Sequence, residues 1–334
     1  QDTLFGGIPV IFGGDFAQIA PVIKRADRSQ IVDASIRQSY IWDETDVIHL
    51  RVNMRVRGTS SNDAHFKDWL YRMTYSPEMQ NKSIPLPHYI YNTSSLNNLI
   101  ERVYPMVVLS DALNSSQRLY KSAILTTRND TADELNGKIL DSMPGTILHL
   151  LSADEAVTSP TDGVDELFQI SPEYLQTLNP NNFPPARLSL KVGCIVMLLR
   201  NINAEAGLCN GTRLMIKEIG SYVLKVAVLK EINSAVEQSE MIPRITLDTM
   251  EDDYPFILRR TQFPVKLSFA MTINKSQGQS LQYVGIDMRY PVFSHGQLYV
   301  AMSRSTRVDT IYVLHPAEAI GNKVENIVYP ELLL

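Results

Sequence analysis

The chain has little cysteine and no long apolar segment. Its 334 residues include two cysteines, Cys194 and Cys209, which have no partners at metal-ligand spacing. This excludes a disulfide-stapled secreted scaffold and predicts free, mostly buried thiols in a reducing compartment. The longest apolar runs, such as residues 194–199, are too short to cross a bilayer. No cationic, apolar leader opens the sequence, so we expect an intracellular protein without a membrane segment.

The sequence also lacks a positive charge balance. Its net charge is −5, which argues against a protein that coats nucleic acid through bulk electrostatics. A narrow groove that binds a single strand through local contacts and stacking stays compatible with this charge. The length of 334 residues predicts two or three domains, and 44% hydrophobic content is ordinary for a globular protein.

Apolar runs that end in polar loops predict α/β architecture. Residues 8–12 read as a buried parallel strand that ends at a Gly-Gly-Asp loop, and residues 123–125 read as another. A helix is expected over residues 131–140, with Asp130 or Thr131 as its N-cap. Residues 39–42 and 66–70 are expected to be helical, with both tryptophans in the core. The segment 76–98 is rich in Pro, Asn and Ser and is expected to be a connector.

The sequence pattern changes from alternating strand and helix signals to consecutive strand signals between residues 188 and 228. Short β-rich runs at 192–199, 212–216 and 222–228 alternate with turns that carry Asn, Gly and Ser. This spacing predicts a small antiparallel barrel inserted in the second α/β domain, because α/β texture returns at Ser268. The acidic residues Asp248 and 251–253 that follow are expected to form a solvated loop rather than a metal site.

Two segments near the carboxyl end carry the strongest chemical signal. Residues 272–280 form a polar turn after the apolar run 265–271, and the turn offers hydroxyls and backbone N–H groups to phosphates. Arg304 ends a predicted helix over residues 296–303 and could act as an arginine finger. Taken alone, each segment is equally well explained by a hydroxyl-rich turn or a solvated arginine.

Weaker signals come from the amino-terminal region. Gly13 and Gly14 allow a tight turn, and Gln18 could sense a γ-phosphate or orient a water. Taken alone, this segment is better explained as a plain turn. Arg51 and Arg55 are four residues apart, which is weak evidence for a phosphate contact. His295 has no nucleophile partner in the local pattern and is expected to cap a helix or make a core hydrogen bond. The scattered histidines predict no metal site.

Together these segments resemble the motifs of one family in its order. Residues 13–22 resemble motif III of the Pif-type DNA helicases of superfamily 1, especially the version carried by Helitron transposons and their eukaryotic relatives. Residues 50–55 are similar to motif IV, 269–281 to motif V and 293–304 to motif VI. Residues 123–140 resemble the opening of the second RecA-like domain, and 190–213 the entry to a Src-homology-type barrel. The resemblance extends from about residue 5 to 315.

The resemblance implies a fold and a domain plan. The expected α/β fold is a partial first RecA-like, P-loop-type domain followed by a second RecA-like domain with a small antiparallel β-barrel (Src-homology-type) insertion. The expected limits are 1–118 for the partial first domain and connector, 119–187 and 263–334 for the two parts of the second domain, and 188–262 for the barrel.

The resemblance also implies the roles of individual residues. The residues expected to act at the γ-phosphate are Gln18, Arg55 and Arg304. The full nucleotide-binding set is Gly14, Asp15, Gln18, Arg55, Gln277, Gly278 and Arg304, and the set expected to hold the DNA backbone is Thr127, Asn129, Thr272, Asn274, Lys275 and Ser276. No residue of the chain is expected to bind a metal.

Two departures from the family are expected to matter. Ala17 stands where the family usually has arginine, and Ala20 where it has a larger aliphatic residue. No G-x-x-x-x-G-K-[ST] loop occurs, and no Asp-Glu pair precedes Gly13 at a strand end. The chain, which opens at Gln1, is therefore expected to be a fragment whose phosphate cradle and magnesium carboxylates precede residue 1.

The implied function is an ATP-dependent DNA helicase that uses ATP and Mg²⁺ and moves 5′-to-3′ on single-stranded DNA. Expected partners are single-stranded DNA and duplex junctions, with no membrane, and the protein is expected to be monomeric. Its expected roles are repair, recombination, telomere maintenance or transposition in the nucleus, with a mitochondrial form as the alternative. The rival hypotheses are a non-catalytic transposon remnant that binds DNA weakly, and a half-site that borrows a P-loop from a partner chain.

Overall fold

The computed structural model describes residues 4–23, 25–50, 52–157, 170–180, 182–229, 239–250, 254–316 and 322–333. Short 3-10 turns occur at Leu4–Gly7, Ile36–Gln38, Ile273–Ser276 and Val308–Thr310. None of the helices in these ranges is long and apolar enough to cross a membrane. The α-helices are α1 (Arg28–Asp33), α2 (Tyr40–Asp43), α3 (Ser61–Tyr75), α4 (Leu96–Val103), α5 (Met106–Ser110), α6 (Ser116–Tyr120), α7 (Asn129–Ser142), α8 (Pro172–Thr177), α9 (Gln297–Ser303) and α10 (Pro330–Leu333).

The strands alternate with these helices in the first and last parts of the chain and follow one another in the middle. In chain order they are β1 (Lys82–Pro85), β2 (Tyr91–Thr93), β3 (Ser122–Thr126), β4 (Leu148–Leu151), β5 (Ala153–Val157), β6 (Arg187–Leu190), β7 (Ile195–Leu198), β8 (Arg213–Ile219), β9 (Val223–Val228), β10 (Ser239–Pro243), β11 (Ile245–Asp248), β12 (Ile257–Gln262), β13 (Val265–Leu267), β14 (Ala270–Thr272), β15 (Tyr283–Asp287), β16 (Ile311–Leu314) and β17 (Lys323–Asn326).

A five-stranded parallel sheet forms the centre of the α/β part. Its order is β14-β3-β15-β16-β2, and neighbouring strands in it run parallel. All five residues of β3 are buried, as expected for a strand covered on both faces by helices. The predicted strand at 123–125 and the helix that follows it are confirmed. Helix α4 approaches β15 so closely that a Cβ on Gly285 would lie 2.9 Å from Val103 Cγ2.

Two buried polar side chains tie the layers of this sheet together. Asn136 of α7 donates through Nδ2 to the Ala270 carbonyl at 3.0 Å, and its Oδ1 accepts from the Ala270 N–H at 2.8 Å. The Tyr104 hydroxyl lies 2.8 Å from the Phe269 carbonyl oxygen, and burial raises the pKa of Tyr104 to about 12. Both groups satisfy backbone where β14 begins, and so they fix the strand that leads into the polar turn.

The middle of the chain forms antiparallel sheets, as the β-rich texture predicts. One sheet has five strands in the order β10-β9-β8-β7-β13, a second has the order β11-β12-β5, and β4 pairs with β6. The strands expected within residues 192–199, 212–216 and 222–228 are confirmed as β7, β8 and β9. The described strands of the five-stranded sheet form an open order, so closure into a barrel stays a prediction. The domain limits also stay predictions, although antiparallel strands begin at β4, before residue 188.

A buried ion pair holds the smaller three-stranded sheet against α8. Arg260 lies on β12, and its Nη2 donates to Asp154 Oδ2 of β5 at 2.8 Å, with both side chains almost completely buried. Arg260 also donates to the carbonyl oxygens of Pro184, Leu175 and Leu178, at 3.0 to 3.1 Å. Each nitrogen of the guanidinium therefore donates a hydrogen bond, which helps the fold to tolerate a buried charge.

The predicted strand at 8–12 is wrong. No described strand pairs with this run, and its apolar side chains are exposed, Ile11 to 96%. Apolar composition predicts burial only if neighbouring strands exist to receive the run, and the described residues supply none. Ile48 and Leu50 are likewise exposed and lie in no described strand.

Three smaller expectations need correction. The connector 76–98 contains two short strands, β1 and β2. Strand β1 ends in a proline and pairs with β17 in a two-stranded sheet, and β2 adds to the edge of the parallel sheet. The N-cap of α7 is Arg128, not Asp130 or Thr131, and Asp130 instead accepts from the Thr131 N–H inside the first turn. Helices at 39–42 and 66–70 are confirmed.

The two tryptophans differ in their surroundings. Trp69 stacks on Phe66, with 6.0 Å between ring centroids, at the margin of a buried cluster. Trp42 instead meets Phe16 edge-on at 5.5 Å and lies beside the guanidinium of Arg37. Core packing is therefore confirmed for Trp69, whereas Trp42 belongs to a smaller aromatic contact outside the main core.

We expect Asp154→Asn to lower the free energy of unfolding by about 3 kcal/mol, because it leaves the Arg260 charge buried without a counter-ion. The matched control is Asp248→Asn, since Asp248 pairs with the neighbouring Arg259 while both side chains are more than 40% exposed. That change should cost less than about 1 kcal/mol. Urea denaturation followed by circular dichroism measures both, and equal losses would contradict the assignment.

Candidate functional site

The 15–18 loop packs against the first turn of α9 without room for a side chain between them. Gly296 is the N-cap of α9 and has a φ of 72°, in the left-handed region that favours glycine. A Cβ on Gly296 would lie 2.6 Å from the Ala17 carbonyl oxygen and 2.6 Å from the Gln18 carbonyl carbon. The contact brings a loop from the amino-terminal part of the chain directly onto the helix that precedes Arg304.

Asp15 shapes the 15–18 loop. Its Oδ1 accepts from the Ala17 N–H at 3.0 Å, and its Oδ2 accepts from Gln18 Nε2 at 3.1 Å. The Tyr299 hydroxyl of α9 donates to the same Oδ2 at 3.4 Å. Asp15 therefore acts through hydrogen bonds within the loop and to α9. Gly14, which precedes it, is exposed, and Ala17 is buried against Gly296.

Arg304 is held by neutral oxygens alone. Its Nε donates to the Val300 carbonyl at 3.0 Å, Nη1 to the Gln279 carbonyl at 3.2 Å and Nη2 to Ser303 Oγ at 3.0 Å. The side chain is 0% exposed, and within the described ranges it has no carboxylate in an ion pair. Burial, followed by the charge of Arg55, lowers the pKa of Arg304 to about 10. A desolvated cation without a counter-ion is suited to receive an anion.

Arg55 lies within electrostatic range of this group. Its charge lowers the pKa of Arg304. The same charge lowers the pKa of Tyr299, whereas the charge of Asp15 raises it. Asn53 Oδ1 accepts from the Arg55 N–H at 3.1 Å and so fixes the backbone at this point. Gln18, Arg55 and Arg304 thus converge around α9 as the sequence suggests, and their roles at a γ-phosphate stay predictions. Arg51 lies outside the described residues.

Gln277 and Gly278 lie at the far end of the polar turn and are exposed. Gly278 has a φ of 85°, and a Cβ there would meet nothing within 4 Å. It lines a cleft of about 1250 Å³ together with Gln279, Arg57 and Arg307, and none of Gln18, Arg55 and Arg304 is part of that lining. Gly278 directly precedes Gln279, whose carbonyl accepts from Arg304 Nη1 at 3.2 Å, so this end of the turn also contacts Arg304. The nucleotide contacts of Gln277 and Gly278 stay predictions.

The six residues expected to hold DNA lie at the carboxyl ends of β3 and β14, which are adjacent and in register. Thr272 pairs with Thr126, so the turn after β14 and the start of α7 emerge side by side. Asn129 is exposed in the first turn of α7, and Thr272 is partly exposed. Thr127 is buried, and its hydroxyl donates to the Tyr290 carbonyl at 3.3 Å.

The polar turn itself divides into outward and inward side chains. Lys275 is partly exposed, and burial followed by the charge of Lys266 lowers its pKa to about 8. Asn274 Oδ1 accepts from Gln297 Nε2 of α9 at 3.1 Å. Ser276 is 0% exposed and its hydroxyl donates to the Ile273 carbonyl at 2.7 Å, so it does not face solvent in this conformation. The contact of Ser276 with DNA phosphate stays a prediction that this geometry does not support.

Sequence reasoning missed the residues that join these groups. Tyr299 and Gln297 lie on α9, where Tyr299 donates to Asp15 and Gln297 donates to Asn274. No sequence motif singled out either residue. His295 makes the core hydrogen bond that the sequence suggests, to the Phe16 carbonyl at 2.8 Å. Within the described ranges no group of three His, Cys, Asp or Glu side chains could hold a metal. Residues 251–253 of the acidic run lie outside those ranges.

Two family models match separate parts of the chain. The PIF1-like helicase model matches residues 1–82, and the model for the 2B domain of the DNA helicase Pif1 matches residues 173–219. The chain is a relative of the Pif1-type DNA helicases of superfamily 1. The predicted recognition is thereby confirmed, and the second match falls on the antiparallel part of the chain.

Individual relatives and solved structures agree. The chain is 28% identical to the ATP-dependent DNA helicase PIF1 of Danio rerio over 93% of this chain and 41% of the relative. It is 24% identical to RRM3 of Saccharomyces cerevisiae over 94% of this chain and 47% of the relative. The Pif1 structure from Candida albicans matches with a TM-score of 0.62 at 21% identity, over 96% of this chain and 65% of that one.

A Bacteroides Pif1 structure, described as a complex with ADP-AlF3 and single-stranded DNA, matches with a TM-score of 0.59 at 20% identity. It covers 98% of this chain and 66% of that one. These likenesses confirm the α/β fold with RecA-like architecture. The chain spans less than half the length of the curated relatives named above.

We expect Lys275 to lose its proton near pH 8, well below the range of about 10.4 that is usual for lysine. Reductive ¹³C-methylation followed by an NMR pH titration measures this directly, and Lys275→Arg identifies the resonance. Lys266→Gln should move the titration of Lys275 to higher pH, because it removes a neighbouring positive charge. A Lys275 resonance that titrates above pH 10 would refute the partly desolvated environment.

Proposed function

We propose that the chain forms the γ-phosphate-sensing and DNA-holding part of an ATP-dependent DNA helicase. The observation that carries this proposal is Arg304, a buried guanidinium that has no ion-pair partner within the described ranges. It directly follows α9, whose first turn contacts the loop that contains Gln18. Such a cation stabilises negative charge on a transferring phosphoryl group more strongly than a solvated arginine does. The relatives' names, which are those of ATP-dependent DNA helicases, support the same assignment.

The proposed cofactors are ATP and Mg²⁺, and the residues present fit only part of this requirement. Arg304 and Arg55 fit the γ-phosphate, and the Gln18 amide fits a water or a phosphate oxygen. Asp15 is engaged by Ala17, Gln18 and Tyr299, so we assign it no magnesium ion. The P-loop cradle and the magnesium carboxylates would come from outside the 334 residues. When bound, ATP would supply the free energy for strand movement.

In this proposal the chain's own groups perform three tasks. Arg304 and Arg55 bind charge that develops on the phosphoryl oxygens, and Gln18 orients the attacking water. Tyr299 and Asp15 hold the 15–18 loop against α9, so the sensing amide and the arginine move together.

The DNA-holding surface is proposed at the ends of β3 and β14. Asn129, Thr272, Asn274 and Lys275 offer one amine and several neutral polar groups to a phosphate backbone. Of the similar Pif1 structures, one is described as a complex with single-stranded DNA and another concerns unwinding at forked duplex DNA. We propose the same two kinds of substrate for this chain. We also propose that it moves 5′-to-3′ and acts as a monomer. Its proposed roles are repair, recombination, telomere maintenance or transposition in the nucleus.

A second candidate function rests on one observation. No G-x-x-x-x-G-K-[ST] sequence occurs in the 334 residues, so no P-loop lysine and backbone cradle is present among them. A non-catalytic Helitron-type remnant that binds DNA weakly would have this sequence. The two candidates differ in whether Arg304 has a function, since a remnant that never meets ATP does not require it.

We expect Lys275→Ala to weaken binding of the chain to a fluorescein-labelled oligo(dT), measured by anisotropy at two salt concentrations. Removing one phosphate contact should reduce the slope of log K against log salt by about 0.7 for a single strand. Ser276→Ala is the matched control, because its buried hydroxyl should affect thermal stability rather than affinity. Since a phosphate would raise the depressed pKa of Lys275, binding at pH 8.5 should also take up protons, which calorimetry in two buffers measures.

A reversed result, in which Ser276→Ala weakens binding and Lys275→Ala does not, would contradict the division of the turn into outward and inward side chains. Unchanged affinity in both variants would remove the turn from the DNA-binding surface altogether.

We expect the purified chain to hydrolyse ATP at background rate, with or without single-stranded DNA, because it lacks the phosphate cradle. In a longer form that carries a P-loop, Arg304→Ala should lower kcat by about 10³-fold or more. Arg304→Lys should not restore it, because lysine lacks the planar fork. Arg307→Ala is the matched control, since Arg307 is exposed and paired with Asp309. Turnover equal to wild type in Arg304→Ala would favour the remnant.

A further inference from the structure

We propose that His295 is a positioning residue that fixes the 15–18 loop on α9 and so sets where Gln18 lies relative to Arg304. The inference rests on the proposed function for its purpose, but its geometry stands on the contacts of His295 alone. The histidine joins three separate segments of the chain: the loop that contains Phe16, the turn before α9, and the segment that leads into α10.

The hydrogen bonds of His295 define its tautomer. The Tyr329 backbone N–H donates to Nδ1 at 2.8 Å, so Nδ1 must be the bare, accepting nitrogen. The proton of a neutral ring then lies on Nε2, which donates to the Phe16 carbonyl at 2.8 Å. Both ring nitrogens are thus used, and they connect backbone groups that are 313 residues apart (329 minus 16).

The surroundings of His295 favour this neutral ring. The side chain is 0% exposed and stacks on the Tyr329 ring, with 5.4 Å between centroids. The charged groups that face it are Arg28, Asp15 and Glu331, and Arg28 forms an ion pair with Glu331 beside it. Burial is the main cause that lowers the pKa of His295, and the Arg28 charge adds to it.

The position of Phe16 carries the effect into the site. Phe16 directly precedes the Ala17 and Gln18 backbone that lies on Gly296, so its carbonyl sets the approach of the loop. A proton on Nδ1 would place two N–H donors face to face across 2.8 Å and break the bond to Tyr329. The repulsion would move the charged ring, and with it Nε2, away from the Phe16 carbonyl, whereas glutamine carries no proton that faces Tyr329. Charging His295, or replacing it with a side chain that cannot reach Phe16, should therefore release the loop from α9 while the parallel sheet stays intact.

The chain contains its own reporter for this contact. Trp42 meets the Phe16 ring edge-on at 5.5 Å, and Arg37 lies 5.2 Å from both rings. The sequence has two tryptophans, and Trp69 lies on α3 at the margin of a different cluster. In a Trp69→Phe background, the emission of Trp42 reports the position of Phe16.

The test uses the full 334-residue chain without ATP or DNA. Asparagine can imitate Nδ1 and glutamine can imitate Nε2, so His295→Asn keeps the Tyr329 bond and His295→Gln keeps the Phe16 bond. At pH 7.5 we expect His295→Gln to retain the wild-type Trp42 emission and His295→Asn to show a red shift. As pH falls below 6.5, wild type should show the same red shift, and His295→Gln should show none.

His315→Gln is the matched control. His315 is also buried, its pKa is also lowered, and its Nε2 lies 2.8 Å from Asn92 Oδ1 at the end of β16, away from Trp42. It should keep the wild-type emission and the acid transition. Far-UV circular dichroism at each pH identifies any variant that unfolds; if His295→Asn does so, the pH profile of His295→Gln still decides.

An acid transition that persists in His295→Gln would overturn the proposal, as would an emission in folded His295→Asn equal to that of wild type. Because no ligand is present, either outcome leaves the helicase assignment untouched. Conversely, a failure to bind DNA or to require Arg304 would leave the measured role of His295 in place.

Discussion

The structure of the candidate site depends on one close approach, between the 15–18 loop and the first turn of α9. A Cβ on Gly296 would lie 2.6 Å from the Ala17 carbonyl oxygen and would push the loop away. The φ of Gly296, 72°, is a second reason why this position favours glycine. The hydrogen bond from Tyr299 to Asp15 and that from His295 to Phe16 lie on either side of this contact. This approach brings the loop that contains Gln18 onto the helix that precedes Arg304.

The parallel sheet supplies the second half of the arrangement. Strands β14, β3 and β15 run in the same direction and in register, so their carboxyl ends bring three loops to one edge. Asn136 and Tyr104 hydrogen-bond to the backbone where β14 begins and so hold the strand that leads into the turn. The turn itself is a 3-10 segment in which Lys275 is partly exposed and Ser276 is buried.

Local sequence predicted those elements whose partners are also local. Residues 123–125 are apolar and followed by a helix, so β3 and α7 could be inferred, as could α9 from its helical spacing before Arg304. Residues 8–12 have the same apolar signal as β3, yet they form no strand, because burial depends on neighbours that composition does not reveal. The inward direction of Ser276 and the contact between His295 and Phe16 depend on tertiary packing, and no pattern along the chain encodes either.

The link between the two proposed ligands runs through Gln297. Its Oε1 accepts from the Phe293 and Ser294 N–H groups, at 2.9 and 3.2 Å, and its Nε2 donates to Asn274 at 3.1 Å. Gln297 is fully buried, so breaking any of these bonds would leave a polar group without a partner. A displacement of α9 that is driven at Arg304 must therefore move the turn that carries Lys275 or break a bond. Under the proposed function, the coupling between the two binding equilibria is reciprocal, so DNA bound at that turn would change the affinity of Arg304 for phosphate by the same free energy.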